Sequence, residues 1–343
     1  MAGKAPAAIA RPSIGRYGPP ERFAIRLTTY WKMSQMTESS ATHPTLGAQA
    51  ARQLANTTKT PPQWIGVTPR WLVGLLPWTP VEAGTYRINK VRGGGESQIR
   101  IECSPSDSND LPSAFIDYEE QPREYTLSTV TTTIEVQTRI SDLYRSPMDQ
   151  VREQLGVLVE MVKERQEDEI INNANYGLLS NVVPSMRIGS RAGAPTPDDV
   201  DELIARVWKE PAFFLAHPRA IAAFGRECTW RGVPPPTVTI FGSSFITWRG
   251  LPLIPTDKLR VDEGNKTSIL LLRTGEKKRG VVGLFQPGLP GEVTPSLSVR
   301  LMGINQRGAA SYLISLYCSA AILTDDAIGA LENVDVGRYH EYK

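Results

Sequence analysis

Histidine and cysteine are scarce in this chain, with three of each among 343 residues. Cys103, Cys228 and Cys318 lie far apart and form no C-x-x-C pair, which excludes a disulfide framework and a zinc knuckle as the basis of the fold. His43 and His340 stand in tail-like contexts, and His217 precedes Pro218 at a strand end, where a ring nitrogen caps backbone. No G-x-S-x-G, no H-E-x-x-H and no G-x-G-x-x-G after a strand is present, so the common hydrolase, metalloprotease and dinucleotide signatures are missing. Charge of one sign is also lacking: 38 Lys and Arg face 36 Asp and Glu, a net +2, which argues against a protein that coats nucleic acid. Apolar runs such as Trp71 to Leu76 and Ile269 to Leu272 fall far short of the roughly 20 residues that cross a bilayer. A protein of the reducing cytoplasm, with no membrane span, no catalytic residue, no metal and no cofactor, is the expectation.

What the chain does have is 41% apolar residues and 55 Gly and Pro, enough for a sizeable core with many turns. Residues 1–32 carry six basic residues against Glu21 alone and contain four prolines. This stretch reads as an upstream extension or a flexible arm. Trp64, Trp71 and Trp78 follow in a segment broken by Pro69 and Pro77, and on sequence alone they pack against their own domain. Strands are expected at Thr85 to Val91, Gln98 to Cys103 and Tyr125 to Thr138, with Gly93-Gly94-Gly95 as a hairpin tip between the first two.

Ser146-Pro147-Met148-Asp149 reads as a helix start, and the apolar positions beyond it extend a helix to about Leu178, some 30 residues and roughly 45 Å. Its Glu164, Glu167 and Asp168 could ligate a metal, but interleaved Lys163 and Arg165 favour a solvated or intersubunit salt-bridged face. Thr196-Pro197-Asp198-Asp199 caps a second helix, with Val200, Leu203, Ile204, Val207 and Trp208 on one side. A buried strand within residues 211–216, a short helix Arg219 to Phe224 and a series of strands from Thr237 to Leu323 complete a mixed α and β half without regular βαβ alternation. Cys228 has Arg226 and Arg231 nearby, which could lower its thiol pKa, but no base accompanies it.

The run Ala51 to Thr60, continued by Thr68-Pro69-Arg70-Trp71-Leu72, Leu76-Pro77-Trp78 and Gly84 to Asn89, closely resembles the amino-terminal part of family 2 encapsulins, shell proteins with the HK97 phage capsid fold. Asp198 to Leu203, Phe214-Leu215-Ala216-His217-Pro218 and Trp248 to Leu253 resemble the corresponding path in capsid proteins generally. The resemblance implies an α+β HK97-like subunit. It divides the chain into an extension and arm at 1–78, an extended loop and peripheral strands at 79–138, a spine helix at 139–195, an axial domain at 196–296 and a return to the peripheral domain at 297–343. Too few residues separate Val91 from Tyr125 for an inserted domain, which points to the uninserted branch, family 2A.

That branch implies a non-catalytic, self-assembling icosahedral shell of about sixty copies. Its implied cargo is a cysteine desulfurase, which enters by a disordered amino-terminal segment and serves sulfur metabolism or storage. The resemblance moves Trp64, Trp71, Leu72 and Trp78 onto a neighbouring subunit. It also places a five-fold pore loop at Arg226, Glu227, Cys228, Thr229, Trp230 and Arg231, the alternative being an ordinary surface loop. A phage major capsid protein and an uncharacterised α/β enzyme are the rival readings.

Overall fold

The computed structural model describes residues 67–82, 84–88, 91–92, 117–118, 122–137, 150–306 and 309–341, all within one folding unit that spans Asn56–Lys343. The arm forms a one-turn helix, α1 (Trp71–Leu75), and a short strand, β1 (Trp78–Pro80). A two-stranded ribbon follows, in which β2 (Thr85–Ile88) and β3 (Val91–Arg92) run out and β4 (Asp117–Tyr118) and β5 (Arg123–Thr126) return. β2 pairs antiparallel with β5 and β3 with β4, so the partner of the first strand is the segment at 123–126 and not the one expected at 98–103. The glycine triplet and Cys103 lie outside the described residues, as do Trp64, His43 and the helix start at Ser146 to Asp149.

Strand β6 (Ser128–Gln137) precedes the spine, α2 (Gln150–Asn172). Its 23 residues span about 35 Å. It stops short of the expected Leu178 because the Asn173 side chain accepts the backbone N–H groups of Asn175 and Tyr176, forming a local turn that competes with the helix. Next come β7 (Arg187–Gly189), α3 (Pro197–Arg206), β8 (Phe213–Ala216) and α4 (Pro218–Trp230). They are followed by β9 (Thr237–Ile240), β10 (Ser243–Trp248), β11 (Leu251–Pro255), β12 (Lys266–Leu272) and β13 (Val281–Phe285). The chain closes with β14 (Glu292–Thr294), β15 (Leu297–Ile304), β16 (Ala309–Ile322) and β17 (Ile328–Asp335).

These strands form two main sheets. The six-stranded sheet is built on β16: β6 runs antiparallel along one of its edges, while β15 and then β13 share the other. β1 joins this sheet parallel to β13, and Gly283 makes that possible, because a Cβ there would sit 2.6 Å from the Trp78 ring. α2 packs on this sheet through Leu155, Leu158, Val159 and Val162 against Leu297, Ile314 and Leu316. The seven-stranded sheet has the order β7-β17-β12-β8-β11-β10-β9, and β8, the run Phe213 to Ala216, is buried at every residue in its middle.

β13 and β14 pair into the sheet on which α2 packs, and β17 pairs into the seven-stranded sheet, so both sheets draw strands from the last third of the chain. Trp208 departs from expectation: α3 ends at Arg206, and the indole stands exposed beside Lys209.

A row of carboxylates on α2 joins the arm to the seven-stranded sheet. Glu164 accepts the Thr68 N–H and hydroxyl, both at 2.8 Å, and binds the Arg70 guanidinium at 2.9 Å and the Lys258 ammonium at 2.9 Å. Arg70 also reaches Glu160 at 2.6 Å, and Lys258 reaches Asp257. Burial alone would raise the Glu164 pKa, but the hydrogen bonds from Lys258 and Thr68 outweigh it and hold the group below its ordinary value. One turn further on, the carboxyl of Glu167 accepts the Leu72 N–H at 3.1 Å, while Asp168 meets Arg260 and Asn172 donates to the Lys258 carbonyl. The acidic face is thus neither a metal site nor a solvated one; it is an intrachain junction.

Replacing Glu164 with Ala leaves Lys258 and Arg70, both largely buried, without their shared partner, and should cost about 2–4 kcal/mol. Hydrogen exchange of the arm amides Thr68 and Leu72 checks this: faster exchange by two or more orders of magnitude is expected, and unchanged protection would show that the junction does not hold the arm.

Candidate functional site

The residues expected to line a pore loop are not in a loop. Ala220, Ala223, Phe224, Glu227 and Cys228 recur at i, i+3, i+4, i+7 and i+8 and are all buried, so α4 continues through Gly225 to Trp230. A glycine in a helix interior costs only about 1 kcal/mol against Ala, and the buried stripe outweighs it. His217 caps the start, its Nδ1 accepting the Arg219 N–H at 3.1 Å, as expected of a histidine between a strand end and a proline. Cys228 is fully buried, and burial pushes its thiol up to about 11 in spite of Arg231, so it is no nucleophile.

The far end of α4 is clasped by the residues that follow β17. The imidazole of His340 stacks on the Trp230 indole, centroids 4.7 Å apart, and its Nε2 meets the buried Glu227 carboxylate at 2.5 Å. The Arg226 guanidinium lies 4.3 Å over the Tyr339 ring and donates to the Val336 carbonyl. His340 is therefore part of the fold and not a tail residue. Arg226 and Glu227 face the body of the protein, whereas Thr229, Trp230 and Arg231 are exposed, with Arg231 paired to Asp198 at 3.2 Å. The true turn begins at Arg231, bends at Gly232 with positive φ, and runs through Val233 and Pro234-Pro235-Pro236 into β9.

The arm residues assigned to a neighbour are engaged within the chain. Leu72 has no exposed surface, Trp71 packs edge-on to Phe245 at 5.3 Å and parallel to Phe241 at 6.4 Å, and Trp78 donates its indole N–H to the Val73 carbonyl. Trp71 and Trp78 thus have the contacts on their own domain that the sequence alone suggests, and Trp64 lies outside the described residues. Leu72 has nothing left to offer a second subunit.

Other surfaces are better suited to partner contact. Leu301, Met302 and Ile304 at the end of β15, with Val293 on the neighbouring β14, are each more than half exposed and apolar. A second apolar surface combines Val233, Val238 and Phe241 around β9. Sequence inspection misses both, because in a strand exposure depends on which edge and face the fold leaves open, and composition does not report that. The ribbon of β2 to β5 is seated on the same body: Tyr125 is buried and donates its hydroxyl to the Ile322 carbonyl at 3.0 Å, with Tyr86 and Ile88 packed against the core. Among the described residues no helix is long and apolar enough to cross a membrane.

Comparison with known proteins agrees with this architecture. Residues 85–338 match the family described as type 2A encapsulin shell protein SrpI-like. The chain is 65% identical over 294 residues to the type 2A encapsulin shell protein SrpI of Synechococcus elongatus, covering 86% of this chain and 95% of that one. It is 56% identical over 308 residues to a type 2A encapsulin shell protein of Mycolicibacterium paratuberculosis, covering 90% and 100%. Among solved structures, the holo-SrpI encapsulin complex from Synechococcus elongatus superimposes with a TM-score of 0.77 at 61% identity, over 87% of this chain and 99% of that chain. The capsid of an empty GTA particle matches with a TM-score of 0.60 at 12% identity, over 86% and 100%, which shows the shared capsid fold and nothing more. A long helix on a β16-centred sheet, a two-stranded ribbon, a second sheet carrying α3 and α4, and this agreement over nearly the full length of its relatives place the chain in the type 2A encapsulin shell protein family, a family of shell proteins and not of enzymes.

Proposed function

We propose that about sixty copies of this chain close into an icosahedral shell that encloses a cysteine desulfurase and serves sulfur metabolism or storage. The observation that carries the shell reading is the match over 99% of the holo-SrpI encapsulin chain, supported by apolar side chains at the end of β15 that a lone protomer leaves in water. The desulfurase follows from the resemblance to the uninserted branch. The pore reading now rests on the exposed turn Arg231–Pro236, because Arg226, Glu227 and Cys228 are committed to the helix and its clasp.

Deleting the arm would not test assembly, since Leu72 and Leu76 are core residues and their loss unfolds the protomer. The double substitution Met302→Asp and Ile304→Asp instead alters side chains that are already exposed. Circular dichroism should show a folded protomer, and light scattering should show small species in place of closed particles. Closed particles of normal size would remove the β15 end from the assembly surface.

Cargo loading is checked by co-expression with the desulfurase. Full-length enzyme should co-purify inside particles, and enzyme lacking its disordered amino-terminal segment should leave them empty, because a flexible segment can reach a repeated site that the folded enzyme cannot. Equal loading of both forms would contradict the segment as the docking element.

A further inference from the structure

Glu167 is the one member of the spine's carboxylate row at the arm junction that makes no ion pair among the described residues. Its side chain is 2% exposed, sealed between α1 and the segment after β11, and the hydrogen bond it accepts comes from the Leu72 N–H at 3.1 Å. The charged groups that face it are Glu164 on its own helix and Asp257 and Lys258 on the segment after β11. Lys258 is shared with both Glu164 and Asp257, and Arg70 on the arm is committed to Glu160 and Glu164. A carboxyl in that setting has two acidic neighbours, one cation already in use, and almost no contact with solvent. Its charged form is the disfavoured one.

We propose that Glu167 is a proton-controlled latch for the arm: protonated, it keeps the junction closed over Leu72; ionised, it favours an opened junction in which the carboxylate is hydrated and the arm is loosened. The covalent chain between α1 and β1 is short, so release at Leu72 also strains the seating of Trp78 on β13. The inference rests on the protomer's fold and does not depend on the nature of the cargo.

The sign follows from proton linkage. Burial pushes the closed-state pKa of Glu167 from 4.5 up to about 7, partly offset by the Leu72 N–H and Lys258. The closed junction therefore binds a proton that the open one has released between those two values. Its stabilisation is complete below pH 4.5 and is lost as pH rises through about 7, with a limiting change in the opening equilibrium on the order of 300-fold. This runs opposite to Glu164, whose lowered pKa favours closure at higher pH. The Glu164 pKa is lowered in the closed junction and ordinary in the open one, so its effect is spent at the acid end and between pH 5.5 and 8.5 the two separate.

The test is hydrogen exchange on the full-length assembled protein between pH 5.5 and 8.5, corrected for intrinsic exchange and read at the arm peptide that contains Leu72. In the wild type the opening equilibrium should rise more than tenfold across that range. In Glu167→Gln, which keeps the shape and cannot ionise, it should stay flat. The wild-type profile stands by itself should the variant fail to fold. A flat wild-type profile, or a Gln variant that keeps the rise, overturns the latch.

Discussion

The constraint on which the protomer depends is the meeting of opposite charge along one helix face. Glu160, Glu164 and Asp168 on α2 would repel one another and weaken the helix if they stood alone. They are instead bound by Arg70 and the Thr68 N–H from the arm, and by Lys258 and Arg260 from the segment after β11, while Glu167 beside them accepts the Leu72 N–H. Three segments far apart in sequence are thereby fixed to a single rod. The apolar stripe on α2 then rests on β15 and β16 without competing for polar partners. The pairs of Glu164 with Arg70 and Lys258 are largely closed to water, so they outweigh a surface salt bridge, and removing one partner costs more than the pair contributed.

The second sheet is organised differently. Its centre is hydrophobic, β8 flanked by β11 and β12, and its helices meet it with the buried stripes of α3 and α4. Polar groups act at its ends: a capping box of Thr196 and Asp199 starts α3, and the stack of Trp230 on His340 with the buried Glu227 closes α4. Since β17 leads directly into that clasp, the last strand of the sheet and the end of α4 are fixed together. Exposed among the described residues are the turn from Arg231 to Pro236 and apolar side chains near β9 and at the end of β15.

The local parts of this architecture are legible in the sequence. The capping box at Thr196, the cap at His217, the buried run at Phe213 to Ala216 and the strand Val281 to Phe285 all depend on neighbours a few residues away, and the chain carries those signals directly. The family resemblance supplies the order of parts. Three features are not legible. The carboxylates of α2 pair with Lys258 and Thr68 across more than 90 residues, and no spacing rule identifies such partners. The extent of α4 is masked by Gly225 and Gly232, although the apolar stripe to Cys228 is there to be counted. The seats of Trp71 against Phe245 and of Trp78 over Gly283 are likewise set by residues remote in sequence.

The central claim is that the carboxylates of α2 couple the arm to the segment after β11. A double-mutant cycle of Glu164→Gln and Lys258→Met, read as the opening free energy of the Thr68 and Leu72 amides in native-state hydrogen exchange, measures that coupling directly. A coupling energy of about 1–3 kcal/mol between a residue of α2 and a residue of the segment after β11, felt at the arm, is the expected result. Additive effects of the two substitutions on those amides would contradict it.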